Sequence, residues 1–107
     1  MKKVNVAVLT LATALAVVLT LSLSANAQSA DLFKSKCVMC HGADGTGSAM
    51  GKKMGAHDFT TAEVQKVSDA ELSEVITNGK NKMPKYADKL KPEDVKGLVA
   101  YIRTLKK

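Results

Sequence analysis

Apolar and polar residues fall into distinct patterns along the 107-residue chain, and each pattern predicts an element. From Val6 to Leu23 almost every position is apolar, broken only by Thr and Ser, with Lys2 and Lys3 ahead of it. Ala25-Asn26-Ala27 then supplies the small residues that a signal peptidase needs, so residues 1–27 read as a signal peptide and Gln28 as the first mature residue. The apolar stretch is somewhat long for that role, which leaves an uncleaved membrane anchor as the alternative. No Cys follows the cleavage site, so a lipoprotein anchor is not expected. Leu32, Phe33, Cys37 and Cys40 recur at helical spacings and predict a helix from about Ala30 to Cys40, with Ser29 as N-cap and Asp31 at the positive end of its dipole. Between Gly42 and Gly55 lie five glycines, at 42, 45, 47, 51 and 55. That segment reads as a loop whose backbone approaches something closely.

Two capping boxes follow. Thr60-Thr61-Ala62-Glu63 opens a short helix to about Val67, and Ser68-Asp69-Ala70-Glu71 opens another with Leu72, Val75 and Ile76 on one face. Asn78-Gly79 ends the second, and residues 80–90 form a lysine-rich loop holding Met83-Pro84. The last helix is the clearest. Pro92 sits in its first turn beside Glu93 and Asp94, and Val95, Leu98, Val99 and Ile102 recur at i, i+3, i+4 and i+7. Arg103, Lys106 and Lys107 close it at the negative end of the dipole. No stretch alternates as a strand, and no repeat or low-complexity linker interrupts the chain. Residues 28–107 are therefore expected to form one all-α domain.

Length and charge narrow this picture. Cleavage after Ala27 leaves 80 residues, near the lower limit for a stable apolar core without help. The two cysteines lie so close together that a bridge between them would restrain the unfolded chain little, so the core asks for some other filling. Without Lys2 and Lys3 the basic residues number 14 against 10 acidic, a formal +4. This mild excess suits acidic protein partners or anionic surfaces. It is not a nucleic-acid signature, because the cations are dispersed, mostly Lys, and the whole chain has only two Tyr and two Phe.

Cys37-Val38-Met39-Cys40-His41 is the C-x-x-C-H pattern of covalent haem attachment. Two thiols on a short turn can both reach the vinyl-bearing edge of a porphyrin, and the next residue then lies near enough to the ring centre for its imidazole to bind iron. A leader beside this motif is consistent with attachment in an exported chain. The competing uses of such cysteines fit less well. A redox disulfide of the thioredoxin kind sits at a βαβ junction that this sequence lacks, and a zinc site needs further ligands where only His57 is at hand. Haem iron with one His keeps an open position, and its occupant decides between electron transfer and ligand chemistry. Of five methionines, Met1 leaves with the leader, Met39 lies inside the attachment turn, and Met50 and Met54 lie in the glycine loop. Met83 is 42 residues beyond His41 and stands alone among Lys80, Asn81, Lys82 and Lys85, stiffened by Pro84. It is the candidate second ligand, with His57 as the competitor.

Taken together, these motifs resemble the small class I cytochromes c over essentially all of residues 28–107, and are most similar to photosynthetic and bacterial members of this size. The resemblance rests on Phe33 four residues before Cys37, on Cys37-x-x-Cys40-His41-Gly42-x-Asp44-Gly45-x-Gly47, on Thr77-Asn78-Gly79-Lys80-Asn81-Lys82-Met83-Pro84, and on Leu98-Val99-Ala100-Tyr101-Ile102. It implies a class I cytochrome c fold of four to five helices wrapped around one covalent haem c. The first and last helices would cross near Phe33 and Tyr101, with Leu98 packed on the ring. Cys37 and Cys40 would hold the haem edge, and His41 and Met83 would ligate the iron. The protein would be a soluble electron carrier, periplasmic or otherwise exported, and not an enzyme. It would be monomeric, with no stable membrane insertion after signal cleavage, and would meet redox protein partners, acidic at the docking surface, through Lys36, Lys52, Lys53, Lys82 and Lys85. The plain alternative for those lysines is a solvated surface. A second functional reading is a haem subunit or module of a larger periplasmic or membrane-associated oxidoreductase complex. A third, a haem enzyme or gas sensor, requires that Met83 not coordinate. One feature departs from the family pattern. Many relatives offer the carbonyl of a proline after C-x-x-C-H to the second imidazole nitrogen, and no proline lies between His41 and Met83 here.

Overall fold

The computed structural model describes residues 25–107. The expected signal-peptide core therefore lies outside the described residues. Helical backbone occupies residues 25–36 (α1), Val38–His41 (α2), Ala49–Lys53 (α3), Ala62–Gln65 (α4), Asp69–Asn78 (α5) and Pro92–Thr104 (α6). Among the described residues there is no strand, only an isolated antiparallel bridge between Lys80 and Met83. The all-α class read from the sequence is the observed one.

Local chemistry explains most boundaries. Ser68 caps α5 by accepting from the Glu71 amide at 3.1 Å, and α5 ends where Gly79 takes φ 77°. Pro92 opens α6, and Asp94 reaches back to accept from the Lys91 amide at 3.0 Å. Two boundaries differ from expectation. The cap of α4 is Thr61, not Thr60, because Asp58 Oδ1 accepts from both the amide (2.8 Å) and the hydroxyl (2.6 Å) of Thr60. That turn commits Thr60 and moves the helix start by one residue. α4 is correspondingly one turn long and ends at Gln65. The first helix is displaced too. Its backbone is already helical at Ala25, so Ser29 is not an N-cap and its hydroxyl donates to the Ala25 carbonyl at 3.0 Å. Alanine is the strongest helix former, so the small residues of Ala25-Asn26-Ala27 suit a helix as well as a protease. α1 breaks at Cys37 before α2 begins.

The core sits where α1, α5 and α6 meet. Phe33 and Leu98 are each only 1% exposed, and Ile76, Leu90, Val95, Val99 and Ile102 complete the cluster. The α6 stripe is thus buried as its spacing predicts. Phe33 and Tyr101 lie 4.9 Å apart between ring centroids, tilted at 46°. Buried Ser29 of α1 faces Gly97 of α6, whose position has no room for a Cβ against the Ser29 hydroxyl as it stands. Arg103 fastens the other end of α6. It donates to Asp69 Oδ1 at 3.0 and 2.8 Å, to the Gln65 carbonyl at 3.1 Å, and to the Val67 carbonyl. The Asp69 partner is exposed and contributes little, but the Gln65 and Val67 carbonyls lie at and just beyond the end of α4 and need a donor.

Two predictions follow from this packing. Gly97→Ala gains up to about 1 kcal/mol of helix propensity and displaces the Ser29 hydroxyl, which can turn aside at the cost of its bond to the Ala25 carbonyl, about 0.5–1.5 kcal/mol, so the net change is small. Adding Ser29→Ala removes the obstacle, and denaturant unfolding of the haem-loaded proteins should show the double variant at least as stable as Gly97→Ala. The second concerns acid. The Thr60 hydroxyl and amide hold Asp58 below the ordinary carboxylate range. Its contribution is complete above the unfolded value of about 3.9 and is lost as pH falls through the lower folded value. Asp58→Asn should flatten that acid limb in a stability-versus-pH series while keeping an acceptor for Thr60.

Candidate haem site

α2 is the motif Cys37 to His41 wound into one helical turn. The His41 amide donates to the Cys37 carbonyl at 2.9 Å, and the Gly42 amide to Val38 at 2.9 Å. Residues at i, i+3 and i+4 share a helix face, so Cys37, Cys40 and His41 lie side by side. All three are half-buried, and both thiols are free. Burial pushes the Cys37 thiol up, partly offset by the neighbouring Lys36 charge.

The glycine segment braces this turn. The Gly47 amide donates to the His41 carbonyl at 2.7 Å, and Ser48 donates through its amide to Cys40 (3.0 Å) and through its hydroxyl to Met39 (2.7 Å). Ser48 then caps α3 by accepting from the Gly51 amide at 2.9 Å. The segment is therefore not a plain loop: it contains α3, which packs against α2. The close approach expected of its glycines occurs at Gly51, where any Cβ would run into the Cys40 carbonyl. What the backbone approaches is the attachment turn itself.

Met83 comes from a separate segment. It closes a tight turn in which its amide donates to the Lys80 carbonyl at 2.9 Å and its carbonyl accepts from the Lys80 amide at 3.2 Å, with Asn81 at φ 53°. Beyond it, the Tyr86 amide donates to the Ile76 carbonyl at 3.1 Å, and the Tyr86 hydroxyl donates to the Lys36 carbonyl at 3.2 Å. These bonds tie the Met83 segment to α5 and to the end of α1.

A cavity of about 330 Å³ lies between these segments. Cys37, Cys40, His41 and Met83 all line it, together with Val64, Val67, Leu72, Val75 and Ile76. The structure thus brings all four predicted site residues to one place. Of the competitors, Met54 and His57 also line the cavity, whereas Met39 is 76% exposed and neither it nor Met50 reaches the wall. Among the described residues no three His, Cys, Asp or Glu side chains gather into a separate metal site.

His41 carries an informative irregularity. Its Nδ1 is buried without a hydrogen-bond partner among the described residues, and desolvation pushes the imidazole below its ordinary pKa, which favours the neutral ring. The Phe59 ring stacks on it at 4.5 Å between centroids, inclined by 25°. Phe59 was not anticipated from the sequence, although it is the one aromatic in the polar run His57-Asp58-Phe59-Thr60-Thr61. The donor set fits haem: free thiols for its vinyl edge, a neutral imidazole and a thioether for iron, and an apolar wall for the porphyrin.

Comparison with known proteins agrees. A family model described as "Cytochrome C oxidase, cbb3-type, subunit III" matches residues 24–102. The chain is 32% identical over 82 residues to cytochrome c6 of Anabaena variabilis, covering 72% of this chain and 87% of that one. It is 31% identical over 83 residues to the cbb3-type cytochrome c oxidase subunit FixP of Azorhizobium caulinodans, covering 76% of this chain but 27% of that longer one. The solved structure of the KustC0563 c-type cytochrome superposes with a TM-score of 0.71 at 40% identity, covering 74% of this chain and 98% of that one.

The contact at Gly51 yields a graded expectation. The obstacle to a Cβ there is backbone, which cannot swing aside as the Ser29 hydroxyl can at Gly97. Gly51→Ala should therefore cost at least the upper end of the about 1–3 kcal/mol typical of overpacking. Relative to Gly97→Ala, it should give a lower unfolding midpoint and less protein with covalent haem.

Proposed function

Because the chain belongs to the cytochrome c family, and so carries covalently bound haem c, we propose that it is an exported carrier of single electrons whose haem is held by Cys37, Cys40, His41 and Met83. The observation that carries this reading is the convergence of His41 and Met83, from separate segments, on one apolar cavity beside two free thiols.

Each residue has a distinct task. Cys37 and Cys40 would hold one haem edge to α2 through thioether bonds to its vinyl groups. His41 presents a neutral imidazole, the form that ligates iron. Met83 offers a thioether, a weak donor that raises the potential relative to a second nitrogen ligand. Bound haem supplies an iron that alternates between its ferrous and ferric states. With His41 and Met83 both holding the iron, small ligands would be excluded and only electrons would pass. Val64, Val67, Leu72 and Val75 keep water from the ring face. The partners are redox proteins. Exposed Lys36, Lys52, Lys53, Lys82 and Lys85 favour an acidic docking face and speed encounter at low salt. The described residues contain no helix long and apolar enough to cross a membrane. The residues 1–27 read as a leader support export to the periplasm, with residues 28–107 as the haem domain.

A second reading has its own support. The matching family model is that of an oxidase subunit, and FixP carries the similar region within a chain several times longer. This protein would then act as a haem module within an oxidoreductase complex. Purification from the native host separates the two readings: a carrier elutes alone from the soluble fraction, and a module co-purifies with a membrane complex.

The ligand assignment is tested by replacing Met83. Met83→Ala should convert the iron from low spin, abolish the near-infrared band of the methionine–iron bond, and lower the midpoint potential by on the order of 100 mV, a modest part of the roughly 0.8 V that axial ligands span. The reduced variant should take up carbon monoxide that the parent refuses. Ready uptake by the parent itself overturns the carrier reading.

A further inference from the structure

A histidine that ligates a metal usually donates its other N–H to a carboxylate, a carbonyl or water, and this bond fixes the plane of the ring. His41 does not follow that arrangement. Its Nδ1 is buried and has no hydrogen-bond partner among the described residues. Something else must stop the imidazole from turning about its Cβ–Cγ bond, and the Phe59 ring lies along its face, 4.5 Å away and inclined by 25°. We propose that Phe59 is the positioning residue that sets the plane of the His41 imidazole over the haem. The inference rests on His41 being an axial ligand, as proposed above.

Phe59 is built to hold still. Its amide donates to the Gly45 carbonyl at 2.9 Å, and its carbonyl accepts from Gln65 Nε2 at 2.7 Å. The same Gln65 nitrogen donates to the Ile102 carbonyl at 3.1 Å, which anchors the clamp to α6. Gly45 lies directly beneath, so close that a Cβ there would sit 3.2 Å from Phe59 Cβ and 2.7 Å from Leu105 Cδ1. Beyond Phe59, Phe33 packs at 6.4 Å and 58°, itself only 1% exposed. Aromatic pairs gain about 0.5–1.5 kcal/mol beyond their buried area. A hydrogen bond would hold the imidazole by a point in its plane. A fixed parallel ring holds it by its face and blocks the rotation that would carry one ring through the other. The plane matters because the imidazole π orbital selects which iron d orbital holds the unpaired ferric electron, and so the direction in which the haem couples to its partners. Stacking fixes this direction without giving Nδ1–H an acceptor that would make the imidazole a stronger donor.

The proton NMR spectrum of the oxidised holoprotein tests the inference, because the hyperfine-shifted haem methyl resonances follow the planes of the axial ligands. Phe59→Leu and Phe59→Ala should change the order or compress the spread of the four methyl resonances while the near-infrared methionine band persists. Phe59→Tyr and Phe59→Trp, which keep a flat face, should retain the parent pattern, and Gln65→Ala should move it in the same sense as Phe59→Leu but less. If Phe59→Ala does not accumulate with haem, the Leu and Tyr variants decide. A parent-like methyl pattern in Phe59→Leu, or equal disturbance by Leu and Tyr, overturns the role of Phe59 and leaves the ligand assignment standing. A parent spectrum without low-spin His/Met haem overturns both.

Discussion

Few side chains of this protein bury one another. Among the described residues the mutually packed cluster is confined to the junction of α1, α5 and α6, and only Phe33 and Leu98 are almost wholly enclosed. Val64, Val67, Leu72, Val75 and one side of Ile76 and Ile102 turn instead toward the cavity of about 330 Å³ around His41 and Met83. An apolar side chain contributes about 1.5–3 kcal/mol only when it is taken fully out of water. Val67, Leu72 and Val75 stay partly exposed on this wall and would reach that state against the porphyrin. The haem would then be part of the core as well as the redox centre, with folding coupled to its attachment. The constraint also explains why the attachment turn is braced so heavily. α2 has no buried side chain of its own and depends on the backbone bonds from Gly47 and Ser48 and on α3 pressed against Cys40.

What was legible in the sequence was what short-range chemistry determines. α6 shows its apolar stripe, its opening proline and its closing bases within one window, and the structure buries Val95, Leu98, Val99 and Ile102. The C-x-x-C-H residues lie on a single turn, so their proximity needs no tertiary information. Met83 stood out because an apolar residue among lysines must point away from water, and it lines the cavity. The rest depended on contacts between segments or on choices between equally local patterns. Thr60 and Thr61 are both sound caps, and Asp58 decides between them. The extent of α1 was hidden because small residues serve a helix and a peptidase equally well. α3 was invisible because Gly51 lowers helix propensity, and its value appears only once the Cys40 carbonyl lies against it. Phe59 follows the same logic: nothing within its polar run indicates that its ring will meet that of His41.

With His41 and Met83 as the proposed ligands, the two sides of the iron would be held by different kinds of structure. On the His41 side, the ligand belongs to a helical turn, its carbonyl is bonded by Gly47, and its ring is stacked on an aromatic whose backbone is clamped at both ends. On the Met83 side, the ligand closes a single turn through two bonds to Lys80, with exposed Asn81 and Lys82 at the tip and a left-handed residue between the bonded pair. Local opening is governed by buried contacts and by solvent exposure of backbone bonds, so the Met83 turn is the weaker of the two supports. A methionine thioether is also the weaker donor. A carrier gains from this division. The proposed thioethers and the stacked imidazole would keep the haem in one orientation through every cycle. The methionine turn adjusts the iron's electronic preference without disturbing that frame. The tie from Tyr86 to the Lys36 carbonyl limits how far the softer side can move, because it joins the far end of the Met83 segment to the residue directly before Cys37. Orientation is thus built into backbone that glycine allows to pack closely. Potential is assigned to a side chain whose turn is anchored at its two ends and free at its tip.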